Sequence, residues 1–374
     1  MKWACSAWVA GMFASLLAPG GQAVAAEPDG RIVFVSTAGG DAQIYSVRPD
    51  GSALKALTTG PGENTQPAWS PDGRRIAFTS MRDGNMEIYV MDADGGHVRR
   101  LTEHPLADNA PEWSPDGRTI AFRSYRDRHA NVYLIDVDSG TLQRLTDTPI
   151  DKGPPHWAPD GQRVVHTEIG TLSSSHVMLV SRRDPQRRDL TSKVSGKSKN
   201  VQPSWSPDGL RLAYAAMGSK GGEIHVMDIA ADRTDRLTQD TFDDSTPIWS
   251  PDGTRIAFVS NREGPRIGRA SGDIYVMNTD GSNPVNVTQH PAHDDSPAWS
   301  ADGRSLYFMS LRDGVSRLYV QRVGESTPMP ITSAQGHVLM YCVSPPAAAS
   351  TSARAGEQVA NGTIPSNGTN TLWR

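Results

Sequence analysis

The stretch Trp69-Ser70-Pro71-Asp72-Gly73 decides the fold. It returns as Trp113-Ser114-Pro115-Asp116-Gly117, and in the same or slightly altered form at Trp157 (with Ala158), Trp205, Trp249 and Trp299 (with Ala301 for Pro). Successive tryptophans lie 44, 44, 48, 44 and 50 residues apart. A fixed period in this range, with strands between the turns, signals a β-propeller.

Each period carries the same internal order. Around Trp69 it runs Pro67-Ala68-Trp69-Ser70, the turn Pro71-Asp72-Gly73, then Arg75 to Ser80. Next come Arg82-Asp83-Gly84, Glu87 to Met91, the turn Asp92-Ala93-Asp94-Gly95, and Val98 to Thr102. This predicts four short antiparallel strands joined by three turns. Ile76 and Phe78 alternate with Ala77 and Thr79, a period of two. Asp-Gly supplies the positive φ that a tight hairpin needs. One such sheet cannot bury both faces alone, but sheets stacked in a ring can. The tryptophans read as wedge-filling core residues of the innermost strands rather than ligand contacts.

The two ends of the chain complete one another. Ile32 to Ser36 matches Ile76 to Ser80, and Gln43 to Val47 matches Glu87 to Met91, so the first blade lacks its innermost strand. After the Trp299 blade come Val338 to Val343 and then Ser344-Pro345, which overlays the Ser-Pro of the repeat. The expected fold is all-β: a seven-bladed propeller of four-stranded antiparallel blades, closed by pairing of the N- and C-terminal strands.

Composition agrees with one globular, turn-rich domain: 374 residues, 37% hydrophobic, with 35 Gly and 27 Pro. The formal charge of −4 argues against general nucleic-acid binding, which wants a basic face. Residues 1–25 read as a secretory signal, with Lys2, an apolar core from Ala7 to Ala18, and Ala23-Val24-Ala25 as cleavage site. Removing it leaves Cys342 as the lone cysteine, so no internal disulfide is expected. The domain plan is a signal peptide over 1–25, the propeller over 26–345, and a low-complexity disordered tail over 346–374. No stretch predicts a membrane span, and an exported, periplasmic or secreted monomer is expected.

Two loops depart from the period. Ser192 to Asn200 stretches one spacing and, with Arg182, Arg183, Arg187, Arg188, Lys193, Lys197 and Lys199, makes a basic rim that reads as solvated surface. Arg262 to Gly272 lengthens a hairpin of the Trp249 blade.

The repeated Pro-x-Trp-Ser-Pro-Asp-Gly-x-x-Ile-Ala-Phe, followed by Ile-Tyr-Val-Met-Asp and Leu-Thr, resembles the propeller repeat of the TolB family over residues 31–345. The resemblance implies the fold. Its functions span periplasmic scaffolds, the propellers of prolyl-oligopeptidase-type peptidases, and oligogalacturonate lyases. TolB itself resembles a six-bladed propeller behind an α/β domain. Ala26 to Arg31 has no room for that domain and seven blades are counted, so the chain is TolB-like and not TolB. The lyase pattern implies a His-Pro-His-Pro run where this chain has Asp294-Asp295-Ser296-Pro297. The peptidases need a Gly-x-Ser-x-Gly elbow, which the sequence does not contain.

The loops leading into the innermost strands should rim one mouth of the channel. They carry Asn64, Asp108, Asp151, Asn200, Asp243, Asp244, Asp294 and Asp295, with Gln335 and His337 from the closing blade. Asp108, Asp151, Asp244 and Asp294 precede their tryptophans by 5, 6, 5 and 5 residues, so their charges should converge. Such a funnel attracts cations or a basic partner group, with calcium the cation that oxygen ligands suit and Asp244 and Asp294 its expected ligands. The alternative reading is turn capping. The recurring Arg82-Asp83-Gly84, Arg126-Asp127 and Arg312-Asp313-Gly314 read as a structural turn device, since a catalytic residue would not recur. The functional expectation is a non-catalytic propeller binding a protein or cell-envelope ligand at the mouth. The alternative is a polysaccharide-degrading lyase or hydrolase using the mouth acids and His337.

Overall fold

A computed structural model describes residues 30–170, 174–184, 186–192, 199–219, 221–262, 271–332 and 336–345. The leader, the tail, Gln335, most of the Arg262–Gly272 insertion, and Lys193 and Lys197 lie outside the described residues. All described regular structure is β, and no helix occurs among the described residues.

Five tryptophan-bearing strands illustrate the unit. Asn64–Trp69 pairs with Arg75–Ser80, which pairs with Glu87–Asp92, which pairs with Arg99–Arg100. The Trp113, Trp205, Trp249 and Trp299 sheets repeat this antiparallel order. The Trp157 sheet keeps the order with its first strand in two pieces, and one parallel bridge, Ser175 to Lys199, links it to the Trp205 sheet. Lys199 and Asn200 therefore begin a strand, Lys199–Trp205, rather than ending a loop. In the N-terminal sheet Ile32–Ser36 pairs on one side with Gln43–Val47 and on the other with Val338–Val343, Ile32 opposite Val343.

The period of two in the second strands sorts side chains by size, not by exposure, because both faces are covered. Ile76 and Phe78 join Val33, Ile44 and Trp69 in a cluster shared with the N-terminal sheet. Ala77, from the opposite face, joins Trp113, Ile120 and Phe122. The same division continues from sheet to sheet, and a last cluster joins Tyr307 and Leu318 of the Trp299 sheet to Ile32, Phe34 and Val338 of the N-terminal sheet. Burial of this kind is the dominant stabilising term, about 25 cal/mol per Å² of apolar surface.

The repeated turn is held by its own side chains. In Ser70-Pro71-Asp72-Gly73 the Ser70 hydroxyl donates to Asp72 (2.6 Å) and accepts from the Arg75 N–H (2.9 Å), while Gly73 takes φ 67°. Ser-Asp contacts recur at Ser114, Ser206, Ser250 and Ser300. The Leu-Thr signature closes the third strand in the same economical way: the Thr102 hydroxyl accepts the Ile88 N–H and donates to buried Glu87.

The tryptophans are structural, and their indoles bind sheet to sheet. Each N–H donates to the carbonyl of the residue just before the preceding sheet's tryptophan: Trp113 to Ala68, Trp157 to Glu112, Trp205 to His156, Trp249 to Ser204 and Trp299 to Ile248.

Each innermost strand also bulges. The ladder skips two residues before the tryptophan, and the residue three before it takes a positive φ: Gln66, Ala110, Gln202, Thr246 and Ser296. The following Pro (Pro67, Pro111, Pro203, Pro247, Pro297) has no N–H to offer a ladder, so it sits where the ladder is already broken. In the Trp157 sheet that position is Pro154, whose ring forbids positive φ, and the strand splits into Asp151–Lys152 and His156–Trp157.

Candidate functional site

The residues five before each tryptophan stand first or second in the innermost strands and are buried. Asn64, Asp108, Asn200, Asp244 and Asp294 are all at most 2% exposed. Four of them meet an arginine from their own sheet, 18 residues later. Arg82 donates to Asn64 (2.9 Å), Arg126 to Asp108 (2.7 Å), Arg262 to Asp244 (3.1 Å) and Arg312 to Asp294 (3.0 Å). The same guanidinium lies over an aromatic pair: Arg312 stands 5.3 Å from the Phe308 centroid and 4.7 Å from Tyr319. The recurring Arg-Asp-Gly is thus a structural device, but it does more than turn the chain. Its Arg hydrogen-bonds the residue at the start of the innermost strand, and its Asp accepts from the Tyr hydroxyl, as Asp313 does from Tyr319.

Asp108, Asp244 and Asp294 are thus each paired with an arginine of their own sheet. Desolvation pushes the carboxyls of Asp108, Asp244 and Asp294 above the usual range, opposed by the neighbouring serine hydroxyl and the arginine. The arginine thus offsets the cost of a carboxylate buried on the sheet axis. Among the described residues no three His, Cys, Asp or Glu side chains stand close enough to hold a metal ion together.

Asp151 is not the equivalent of these acids. The equivalent position is Lys152, fully buried, whose ammonium bonds the Thr148 and Ile150 carbonyls and lies 3.8 Å from Glu168. Glu168 replaces the serine found at Ser80, Ser124, Ser260 and Ser310, so this sheet inverts the charge of its neighbours. Asp151 itself is half-exposed beside His129.

The other expected residues each have their own local partners. Asp243 accepts from the Gly222 N–H and Asn261, and Asp295 faces His293 at 3.3 Å. His337 is exposed, its ring near the Ser316 N–H. Asn200 bonds the Ser175 carbonyl.

Two features of the inner wall escaped sequence reasoning. Glu112 and His156, each just before a tryptophan, pair across neighbouring sheets at 2.9 Å. Burial disfavours the His156 cation, but the Glu112 carboxylate more than offsets this and holds its pKa above the ordinary value. Glu112 also accepts the Trp157 N–H at 2.8 Å. Second, the Gln66 and Gln202 side chains each accept the bulge N–H of the next sheet, Ala110 and Thr246, at 2.9 Å. Both pairs join positions 44 residues apart, so comparison of equivalent positions in adjacent repeats is the signal that finds them.

Around the same end of the sheets lie exposed apolar side chains at two recurring positions. Twelve residues after a tryptophan stand Met81, Ile169 and Leu311, with Tyr125 partly exposed; seven before stand Leu106 and Ile150, with Phe242 partly exposed. Backbone bonds fasten this ring: Met81 N–H to Glu63, Tyr125 N–H to Ala107, and Leu311 N–H to His293. The His129–Asp151 and His293–Asp295 pairs stand close to these positions in sequence, at 3.4 and 3.3 Å.

A family model described as the TolB beta propeller domain matches residues 52–196 and 154–267. No curated protein matches the chain. Among solved structures, TolB from Acinetobacter baumannii aligns at 18% identity over 84% of this chain and 67% of its own, TM-score 0.52. An oligogalacturonate lyase in complex with manganese aligns at 17% identity over 79% and 86%, TM-score 0.67. The β-propeller domain of the Trilobed protease from Pyrococcus furiosus, an open-velcro propeller, aligns at 15% identity over 81% and 92%, TM-score 0.62. At these identities the likeness concerns the fold.

Proposed function

Because the chain belongs to the TolB β-propeller family, we propose that it is a seven-bladed, closed propeller that works as an exported, non-catalytic module and docks a protein of the cell envelope on its apolar mouth. Two observations support the blade count: apolar clusters link every neighbouring pair of sheets, and the last links the Trp299 sheet back to the N-terminal one. The leader-like features of residues 1–25 support export, to the periplasm or beyond.

The observation that carries the function is the set of exposed apolar side chains Met81, Leu106, Ile150, Ile169 and Leu311, at recurring positions of four sheets. Single exposed apolar residues need no explanation, but a set repeated at equivalent positions around one mouth marks an interaction surface. The rim of charged pairs suits a protein partner, since interfaces combine an apolar centre with a polar edge. The mouth acids do not favour catalysis, because Asp108, Asp244 and Asp294 are already engaged by arginines. No bound cation is needed to relieve them.

The test is in-cell crosslinking in the source organism, with partners identified by mass spectrometry. A single envelope protein should crosslink to the unmodified chain and to Val98→Glu, just before the outer strand Arg99–Arg100, but not to Met81→Glu with Leu311→Glu. Equal crosslinking to all three overturns the mouth as the docking site. The lyase or hydrolase alternative is addressed by incubation with anionic polysaccharide: appearance of new reducing ends, lost on substitution of His337, would replace the scaffold reading.

A further inference from the structure

At the opposite ends of the sheets from the mouth, the seams between neighbouring turns are filled by a repeated set of contacts. The arginine that opens a second strand lies over the next sheet's tryptophan: Arg75 over Trp113 (4.8 Å), Arg163 over Trp205 (5.0 Å), Arg211 over Trp249 (4.6 Å) and Arg255 over Trp299 (4.7 Å). Three of these guanidiniums also donate to the glycine carbonyl of the next turn, Gly117, Gly209 and Gly303. The turn's proline closes the rest. A Cβ added to Gly117 would stand 3.7 Å from Pro71, and one on Gly253 3.6 Å from Pro207.

The seam between the N-terminal sheet and the Trp69 sheet has the same parts in the same places. Ser344 N–H donates to the Arg31 carbonyl and Arg31 N–H to the Ser344 hydroxyl, at 2.8 and 2.9 Å, as Ser70 and Arg75 do within their own turn. Arg31 is therefore the counterpart of Arg75, and Pro345 of Pro71. Yet a Cβ on Gly73 would meet nothing within 4 Å. A cleft of about 870 Å³ opens there, lined by Arg31, Arg48, Arg74, Trp69 and three aspartates.

The charges of the two kinds differ in availability. Asp72 accepts from Ser70 and the Arg74 N–H, Asp92 binds His97, and Asp94 accepts the Gly96 N–H. Arg31, Arg48 and Arg74 are exposed, and among the described residues their guanidiniums make no hydrogen bond or close ion pair, although Arg48 and Arg74 are near enough to help lower the pKa of Asp50 and Asp72. Guanidinium forks match the geometry of carboxylate and phosphate, and the cleft falls in the size range of small-molecule sites.

We infer that this seam is a binding site for a small ligand carrying two anionic groups, carboxylate or phosphate, held by Arg31, Arg48 and Arg74. The site is independent of the mouth and stands whether or not a partner docks there.

Isothermal titration of the full chain with pyrophosphate and, separately, citrate tests it. One saturable site is expected, for whichever anion fits, weakening as salt is raised. Arg48→Ala with Arg74→Ala should reduce affinity at least about tenfold, the loss of one to two charge-assisted hydrogen bonds. Arg118→Ala, the exposed counterpart of Arg74 in the next turn, should leave affinity and melting temperature unchanged. Tighter binding of pyrophosphate identifies a phosphate ligand, and of citrate a carboxylate. Absence of saturable binding of either anion, or equal losses in Arg118→Ala and the cleft variant, overturns the site. The three substituted arginines are solvent-facing, and thermal melts confirm that each variant is folded.

Discussion

The indole N–H of Trp69 donates to the carbonyl of Cys342, 3.3 Å away and 273 residues along the chain. Every other repeat tryptophan makes this bond to the sheet preceding it in sequence, so Cys342 stands where a preceding repeat would be. Deleting residues 337–345 removes this acceptor and the strand opposite Ile32–Ser36, leaving a buried apolar strand as an open edge. The truncated protein should be unfolded or aggregated by circular dichroism and gel filtration, whereas deletion of 346–374 should leave the melting temperature in place. A stable monomer lacking 337–345 would refute the closure.

The Arg312–Asp294 pair should behave as a buried ion pair and not as a surface one. Asp294 is fully buried and Arg312 nearly so. Arg312→Ala strands the carboxylate and removes the cation from above Phe308 and Tyr319, and should cost about 3–5 kcal/mol. Asp294→Asn keeps an acceptor for Arg312 and should cost less, as Asn64 does in the equivalent contact with Arg82. Urea denaturation of both variants and of the double variant measures the coupling. Equal small losses, under about 1 kcal/mol, would put the pair in the surface class.

Calcium should leave the melting temperature unchanged. A cation site needs free carboxylate oxygens, and those of Asp244 and Asp294 are taken by Arg262 and Arg312. Melts with millimolar calcium and with chelator decide it. A rise that disappears when Asp244 and Asp294 are both changed to Asn would show that the arginines yield to a metal.

Much of the fold was legible in the sequence because its signals are local. The Trp-Ser-Pro-Asp-Gly turn is held by bonds within six residues, Ser70 to Arg75, so each copy announces itself. The site was less legible because its partners come from separate strands. Arg82, Arg126 and Arg312 were visible as a repeat, but nothing local shows that their guanidiniums reach back 18 residues to the strand's first residue. Asp151, six rather than five before its tryptophan, differs from the other acids for a related reason. The spacing of six already sets it apart, and the register shows the consequence: Lys152 pairs with Glu168 as Asn64 pairs with Ser80, and Pro154 breaks the strand its neighbours bend with a positive-φ residue. The Glu112–His156 pair joins two residues unlike those at the same place in other repeats, so pattern matching passed over them.

Residue 166 offers a test in which the repeat itself supplies the replacement. His166 occupies the place of Phe78, Phe122, Phe258 and Phe308, is fully buried, and neither ring nitrogen makes a well-formed hydrogen bond, the Thr167 backbone being the one polar neighbour that acts on it. Burial is the main force pushing its pKa down to about 3 from an ordinary 6.5, opposed by the Thr167 backbone and assisted by the Lys152 and Arg187 charges. The sign follows. The unfolded chain takes a proton on this ring below pH 6.5 and the folded chain does not, so stability is fully present above 6.5 and falls as pH drops through that value toward 3. His225, pushed down to about 4 chiefly by burial, adds a second loss of the same sign. His166→Phe should therefore raise stability near neutrality by about 1–3 kcal/mol, by removing an unsatisfied buried polar group. It should also remove a slope of up to about 1.4 kcal/mol per pH unit below pH 6.5. His97, His156 and His293, whose pKa values are raised, are common to both proteins and cancel in the comparison. Urea midpoints of the two proteins at several pH values between about 5 and 8 measure the difference. If the two curves run parallel across that range, His166 is not buried in its neutral form. If His166→Phe is the less stable protein at pH 7, the imidazole has a partner that the repeat pattern does not supply.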